Sequence, residues 1–119
     1  MNIRTHKINN TTIAEIISDE EIIKHTEDAL ELLGNVYYQG IDKVIIHQKN
    51  LTTEFFDLKK KIAGEILQKF SNYRVHLVII GDFSKFTSNS LKNFIYESNK
   101  GKHVNFVANI SDALNFFSR

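Results

Sequence analysis

Three short apolar runs, Val44-Ile45-Ile46, Val75-His76-Leu77-Val78-Ile79-Ile80 and Val104-Asn105-Phe106-Val107, recur along the chain, with polar segments of helical period between them. β-Branched runs alternating with helices predict buried parallel strands joined by crossover helices. These strands are placed over residues 43–48, 74–81 and 103–107. Upstream, residues 3–8 and 12–17 flank Asn9-Asn10, a pair that tolerates the left-handed backbone of a tight hairpin. In the second of these runs Ile13, Glu15 and Ile17 share one face and Ala14 and Ile16 the other. That mixed pattern predicts a strand near the edge of the sheet.

The helical segments carry their own punctuation. After a polar connection with a helical turn over 20–23, Thr26 caps a helix that turns Ala29, Leu30, Leu33, Val36 and Tyr37 inward and closes at Gly40. The second helix is specified most fully. Thr52 is its N-cap, Leu51 and Phe56 take the staple positions, and Glu54 and Asp57 lie near the positive end of the dipole. Phe55, Leu58, Ile62, Ala63, Ile66, Leu67 and Phe70 form its apolar stripe. Asp57, Lys61 and Glu65, four residues apart, predict an exposed ion-pair ladder. A third helix over 88–99 buries Leu91, Phe94, Ile95 and Ser98 and stops at Gly101. Ser111 caps a last one, with Ala113, Leu114, Phe116 and Phe117 inward.

Composition narrows the picture. The chain has 119 residues, 42% hydrophobic and 24% charged, which is enough for one core-bearing domain over 1–119. A formal net charge of +1 gives no nucleic-acid footprint. The Lys59-Lys60-Lys61 block fans around a helix instead of forming a patch. With no cysteine, disulfides, thiolate metal sites and a thiol nucleophile are excluded. No apolar stretch reaches membrane-spanning length and the N-terminus has no apolar signal core, so the expectation is a cytoplasmic protein without membrane contact. No Walker-type or dinucleotide glycine pattern is present, and no cofactor is expected.

The order of elements is two strands and a helix followed by three strand-helix units. Within it stand Lys49-Asn50-Leu51-Thr52, Phe55-Phe56-Asp57-Leu58-Lys59, Ala63-Gly64-Glu65-Ile66-Leu67, Gly81-Asp82-Phe83-Ser84-Lys85 and Phe94-Ile95-Tyr96-Glu97-Ser98-Asn99. On these motifs most of the chain after Asp28 resembles an uncharacterised bacterial family, domain of unknown function 4180, which implies no activity. By order alone it resembles the STAS domain of anti-sigma factor antagonists. That resemblance implies an α/β fold with a mixed four- or five-stranded sheet and a partner-binding surface at the start of the second helix. STAS antagonists carry a phosphorylatable serine there; this chain has only Thr52 and Thr53 as hydroxyls, and Thr52 is committed to capping.

Ligands of open parallel sheets bind outside the carboxyl ends of the strands. That nominates the loops 48–53, 81–88 and 108–111. The candidate binding residues are Thr52, Thr53, Asp57 and Lys59 at the second helix start, and Asp82, Phe83, Ser84 and Ser88 in the middle loop. That loop reads either as a site or as a capped turn in which the serines satisfy local backbone groups. Lys59 falls inside the apolar stripe of a continuous helix, so its ammonium either reaches Asp82 or a bound anion, or snorkels to water. Phe83 and Phe86 either pin their loop to the core or expose an apolar contact surface. Of Tyr37 and Tyr38, one ring packs and the other rests on the surface. His47 lies at the opposite strand end from His76 and His103, too far for shared ligation, and His6 and His25 are isolated, so no metal site is expected. The expected function is a non-enzymatic regulatory module whose carboxyl-edge loops take another protein, a homodimer mate or a small anionic ligand. The alternative is a small enzyme using Asp82 and Lys59 at the same edge.

Overall fold

The computed structural model describes residues 2–118; Met1 and Arg119, the ends of the expected domain, lie outside the described residues. Strand β1 (Asn2–Ile8) turns through Asn9 and Asn10 into β2 (Thr11–Ile17). Both asparagines have positive φ, 52° and 66°, as both central positions of a tight hairpin turn require. Helix α1 (Thr26–Tyr38) leads to β3 (Lys43–His47), α2 (Ile62–Asn72) to β4 (His76–Ile80), and α3 (Asn89–Lys100) to β5 (Val104–Val107), before α4 (Ile110–Phe117). The fold is mixed α/β with a five-stranded sheet in the order β1-β2-β3-β4-β5. β1 is antiparallel to β2, and every later pair is parallel. The three apolar runs thus lie side by side in one direction, as their composition predicts.

The pleat divides the strand residues between two cores. Ala14, Ile16, Val44, Ile46, Leu77, Ile79, Val104 and Phe106 face α1, α2 and α3. Ile13, Ile45, Val78 and Ile80 face α4 through Ala113 and Phe117. The expectation for α1 shifts by one column. Ala29, Leu32, Leu33 and Val36 are buried, a clean i, i+3, i+4, i+7 stripe. Leu30 and the pair Tyr37 and Tyr38 are exposed. The cap is one residue earlier than Thr26: the Asp28 carboxylate accepts from the His25 and Lys24 N–H groups at 3.0 and 2.9 Å. Thr26 instead donates to Glu65 of α2 at 3.2 Å. Gly40, with φ +73°, closes the helix as expected.

Two connections differ more. Residues 20–23 form no helical turn; Ile23 is fully buried and bridges Leu51 in parallel. The Asn50 carbonyl accepts from Ile22 and Ile23, and the Asn50 amide donates to the Ser18 and Glu20 carbonyls at 2.9 and 2.8 Å. The continuous second helix expected after Thr52 is broken at its start into 3-10 turns at Thr53–Phe56 and Leu58–Lys60, which follow another such turn at Gln48–Asn50, before α2 begins. The physical reason is two capping side chains in series. Thr52 accepts from the Glu54 N–H at 3.3 Å and Asp57 from the Lys59 N–H at 3.2 Å, and each local bond competes with helix continuation. The tight turn also buries the adjacent Phe55 and Phe56 together. Lys61 then takes the left-handed conformation, φ 62°. The Asp57–Lys61–Glu65 ladder therefore does not form. At the last helix Asn109, not Ser111, is the cap, accepting from the Asp112 N–H at 2.8 Å.

Candidate functional site

Because β2 to β5 run in the same direction, the chain leaves all four at one edge of the sheet. The strand order never reverses, so there is no crevice of the doubly wound type. The opening at this edge is made by the loops themselves. β4 is followed by Gly81, which lies against Gln48: a Cβ on Gly81 would come within 2.7 Å of Gln48 Cβ and 3.0 Å of the Phe83 ring. Only glycine lets the two loops approach this closely.

Aromatic rings tie the loops together. Phe56 stacks on Phe86 with centroids 5.0 Å apart and planes at 19°, and lies 6.1 Å from Phe83. Phe83 meets Phe106 of β5 edge-on at 5.2 Å. Phe83 and Phe86 pack against the main core, which is the pinning alternative of the sequence reading. Between the loops lies a cleft of about 360 Å³ lined by Gln48, Lys49, Thr53, Phe56, Lys85 and Phe86, within the size range of small-molecule sites.

Of the eight candidate residues, Thr53 lines this cleft. Thr52 is buried, does not line it and is occupied by its cap. Asp57 and Lys59 are exposed on the next turn. Asp82 accepts from the Ser84 hydroxyl at 2.6 Å and the Ser84 N–H at 3.2 Å. Those bonds, and Lys85 nearby, hold its pKa below the usual carboxylate value. Ser88 caps α3, accepting from the Leu91 N–H at 3.2 Å. The serines of this loop thus serve its backbone turns. The structure brings Asp82 to Ser84 and Lys85; the continuous helix that would aim Lys59 at Asp82 is absent. Gln48, Lys49 and Lys85 lie in the loops 48–53 and 81–88 that the sequence nominates but were not singled out among the candidates, and Phe56, expected as a helix staple, also lines the opening.

A second polar cluster lies on the α4 face. Glu15 is buried, with 4% of its surface exposed. Its two carboxylate oxygens accept from His6 Nε2 and His47 Nε2, each at 2.8 Å. His6 is therefore not isolated: the bond runs diagonally across β1, β2 and β3. Burial raises the Glu15 pKa, but the hydrogen bonds from His47 and His6 and their charges outweigh it, and the net shift is downward. His47 borders a smaller cleft of about 250 Å³ beside Asn2, Ser18 and Lys49. A signal was present in the sequence: an acidic residue flanked by isoleucines on a buried face requires partners. On the same face His76 bonds Asn105 at 2.7 Å. Burial lowers its pKa against the opposing pull of that bond. Among the described residues no group of three or more His, Cys, Asp or Glu side chains is arranged to hold a metal ion, and none of the described helices is long and apolar enough to cross a membrane.

No curated protein and no solved structure matches the chain. A family model described as a domain of unknown function (DUF4180) matches residues 8–116, and the chain belongs to that family.

Proposed function

We propose that this chain is a non-enzymatic, STAS-like binding module that takes a regulatory ligand or protein partner at the carboxyl edge of its sheet. The observation that carries the reading is the cleft of about 360 Å³ between the loops after β3 and β4. It combines a fixed aromatic floor with polar walls, the usual make-up of a recognition site. The enzymatic alternative through Asp82 and Lys59 requires both side chains at one substrate, and the break ahead of α2 removes the basis for that placement.

The test fills the cleft. Wild-type protein and Thr53→Trp, matched for folding by circular dichroism, are incubated with cell extract, and the retained small molecules and proteins are identified by mass spectrometry. The expected result is at least one species retained by wild type and lost from the variant. Identical retention by both would overturn the reading.

A further inference from the structure

The cleft has a chemical character that narrows its ligand. Lys49 belongs to the segment after β3 and Lys85 to the loop after β4, so each of the two segments contributes a lysine to the cleft lining. Lys49 is paired with Asp19 at 3.3 Å, but both side chains are well exposed, 59% and 101%. Such a surface pair is weak and exchanges readily for a better anion. Lys85 shares its loop with Asp82, whose carboxylate is already engaged by Ser84. The floor is the Phe56–Phe86 stack, with Phe86 half-buried and held against Phe56. A half-buried aromatic ring of this kind offers a flat apolar surface on which a second ring can lie. Gln48 and the Thr53 hydroxyl supply neutral hydrogen-bonding groups, and Glu21 supplies one acceptor carboxylate on the rim.

From this arrangement we infer that the ligand is a small anion carrying a flat ring, of the size and chemistry of a nucleoside monophosphate. The lysines meet the phosphate, the ring lies on Phe86, and Glu21 accepts from hydroxyl or amino groups. A bare inorganic anion leaves the aromatic floor uncovered. An uncharged nucleoside leaves two lysines without a counter-charge. The volume holds one ring system and one phosphate group. This inference rests on the proposed function and names the ligand class of the same site.

The experiment is a titration of isotope-labelled full-length protein followed by two-dimensional amide NMR, with adenosine monophosphate, adenosine and inorganic phosphate as separate arms. The expected result is saturable shifts for adenosine monophosphate at Gln48, Lys49, Thr53, Lys85 and Phe86. Adenosine should bind at least about tenfold more weakly, because it lacks the charge-assisted contacts, and phosphate at least about tenfold more weakly, because it lacks the ring that covers Phe86. Lys49→Gln with Lys85→Gln should weaken the nucleotide about tenfold or more on the same basis, while leaving adenosine unchanged. Phe86→Leu should weaken nucleotide and nucleoside alike. The inference is overturned by an absence of saturable shifts at millimolar nucleotide, by shifts confined to another surface, or by binding that ignores the lysine substitutions. If the nucleotide fails while Thr53→Trp still loses a species from extract, the ligand class falls and the binding edge stands. If both fail, the edge falls with it.

Discussion

The two faces of one sheet are built on different principles. Under α1, α2 and α3 every buried strand residue is apolar, and rings extend that core outward through Phe55, Phe56, Phe83 and Phe106 to the rim of the cleft. Under α4 a single eight-residue helix covers the strands. Beyond that helix the same face carries the His6–Glu15–His47 clip, and beneath it the His76–Asn105 pair, with His76 edge-on to Phe116 and Phe117. The first face gains its stability from area removed from water. The second spends stability on holding a carboxylate out of water and recovers it only through two well-placed donors. The comparison teaches where substitution is tolerated. Volume is constrained on the first face, and hydrogen-bond completeness on the second.

The largest expected effect is on the first face. Phe55 is 1% exposed and edge-packed on Phe56 at 5.1 Å. Phe55→Ala should lower the unfolding free energy by about 3–5 kcal/mol, read from urea denaturation. A loss under about 1 kcal/mol would mean that the aromatic chain is not packed as described. On the second face, Glu15→Ala leaves two buried-side donors unmatched and should lose about 2–3 kcal/mol. The sharper outcome is the combined replacement of Glu15, His6 and His47 by leucines, which should recover most of that loss. A further large loss in the triple variant would contradict the distinction between the faces. Smaller again is Gly81→Ala, which crowds Gln48 Cβ at 2.7 Å and should cost about 1–3 kcal/mol by overpacking.

The pH dependence separates the faces most gently. Burial raises the Glu15 pKa, but the bonds from His47 and His6 prevail, so the folded value lies below the unfolded one. The resulting stabilisation is fully present above the unfolded carboxylate pKa and is lost as the pH falls through the folded value. Unfolding free energy measured from about pH 7 to about pH 3 should fall more steeply for the wild type than for Glu15→Gln. Parallel slopes would show that Glu15 is not held as an anion.

Periodicity was sufficient for the first face, and for a physical reason: apolar alternation records burial directly. The strands, their common direction and the Asn9-Asn10 hairpin were all legible. The second face was legible only in part, since pairing Glu15 with His6 and His47 needs the strand register, which no single segment carries. The second helix failed for a local reason. Lys61 adopts a left-handed backbone without the glycine that normally announces one. Asp57 is the sign that was there to be used, a second capping residue five positions after Thr52. Misreading that break misplaced Lys59.

The central claim is that the loops after two parallel strands meet over a shared aromatic floor. Its most direct test is a nuclear Overhauser measurement on the free protein with labelled phenylalanines. The account predicts ring-to-ring cross-peaks between Phe56 and Phe86, whose centroids lie 5.0 Å apart, and none between Phe86 and Phe117. An absence of the Phe56–Phe86 cross-peak, with both rings otherwise resolved, would mean that the two loops stand apart and that no cleft joins them.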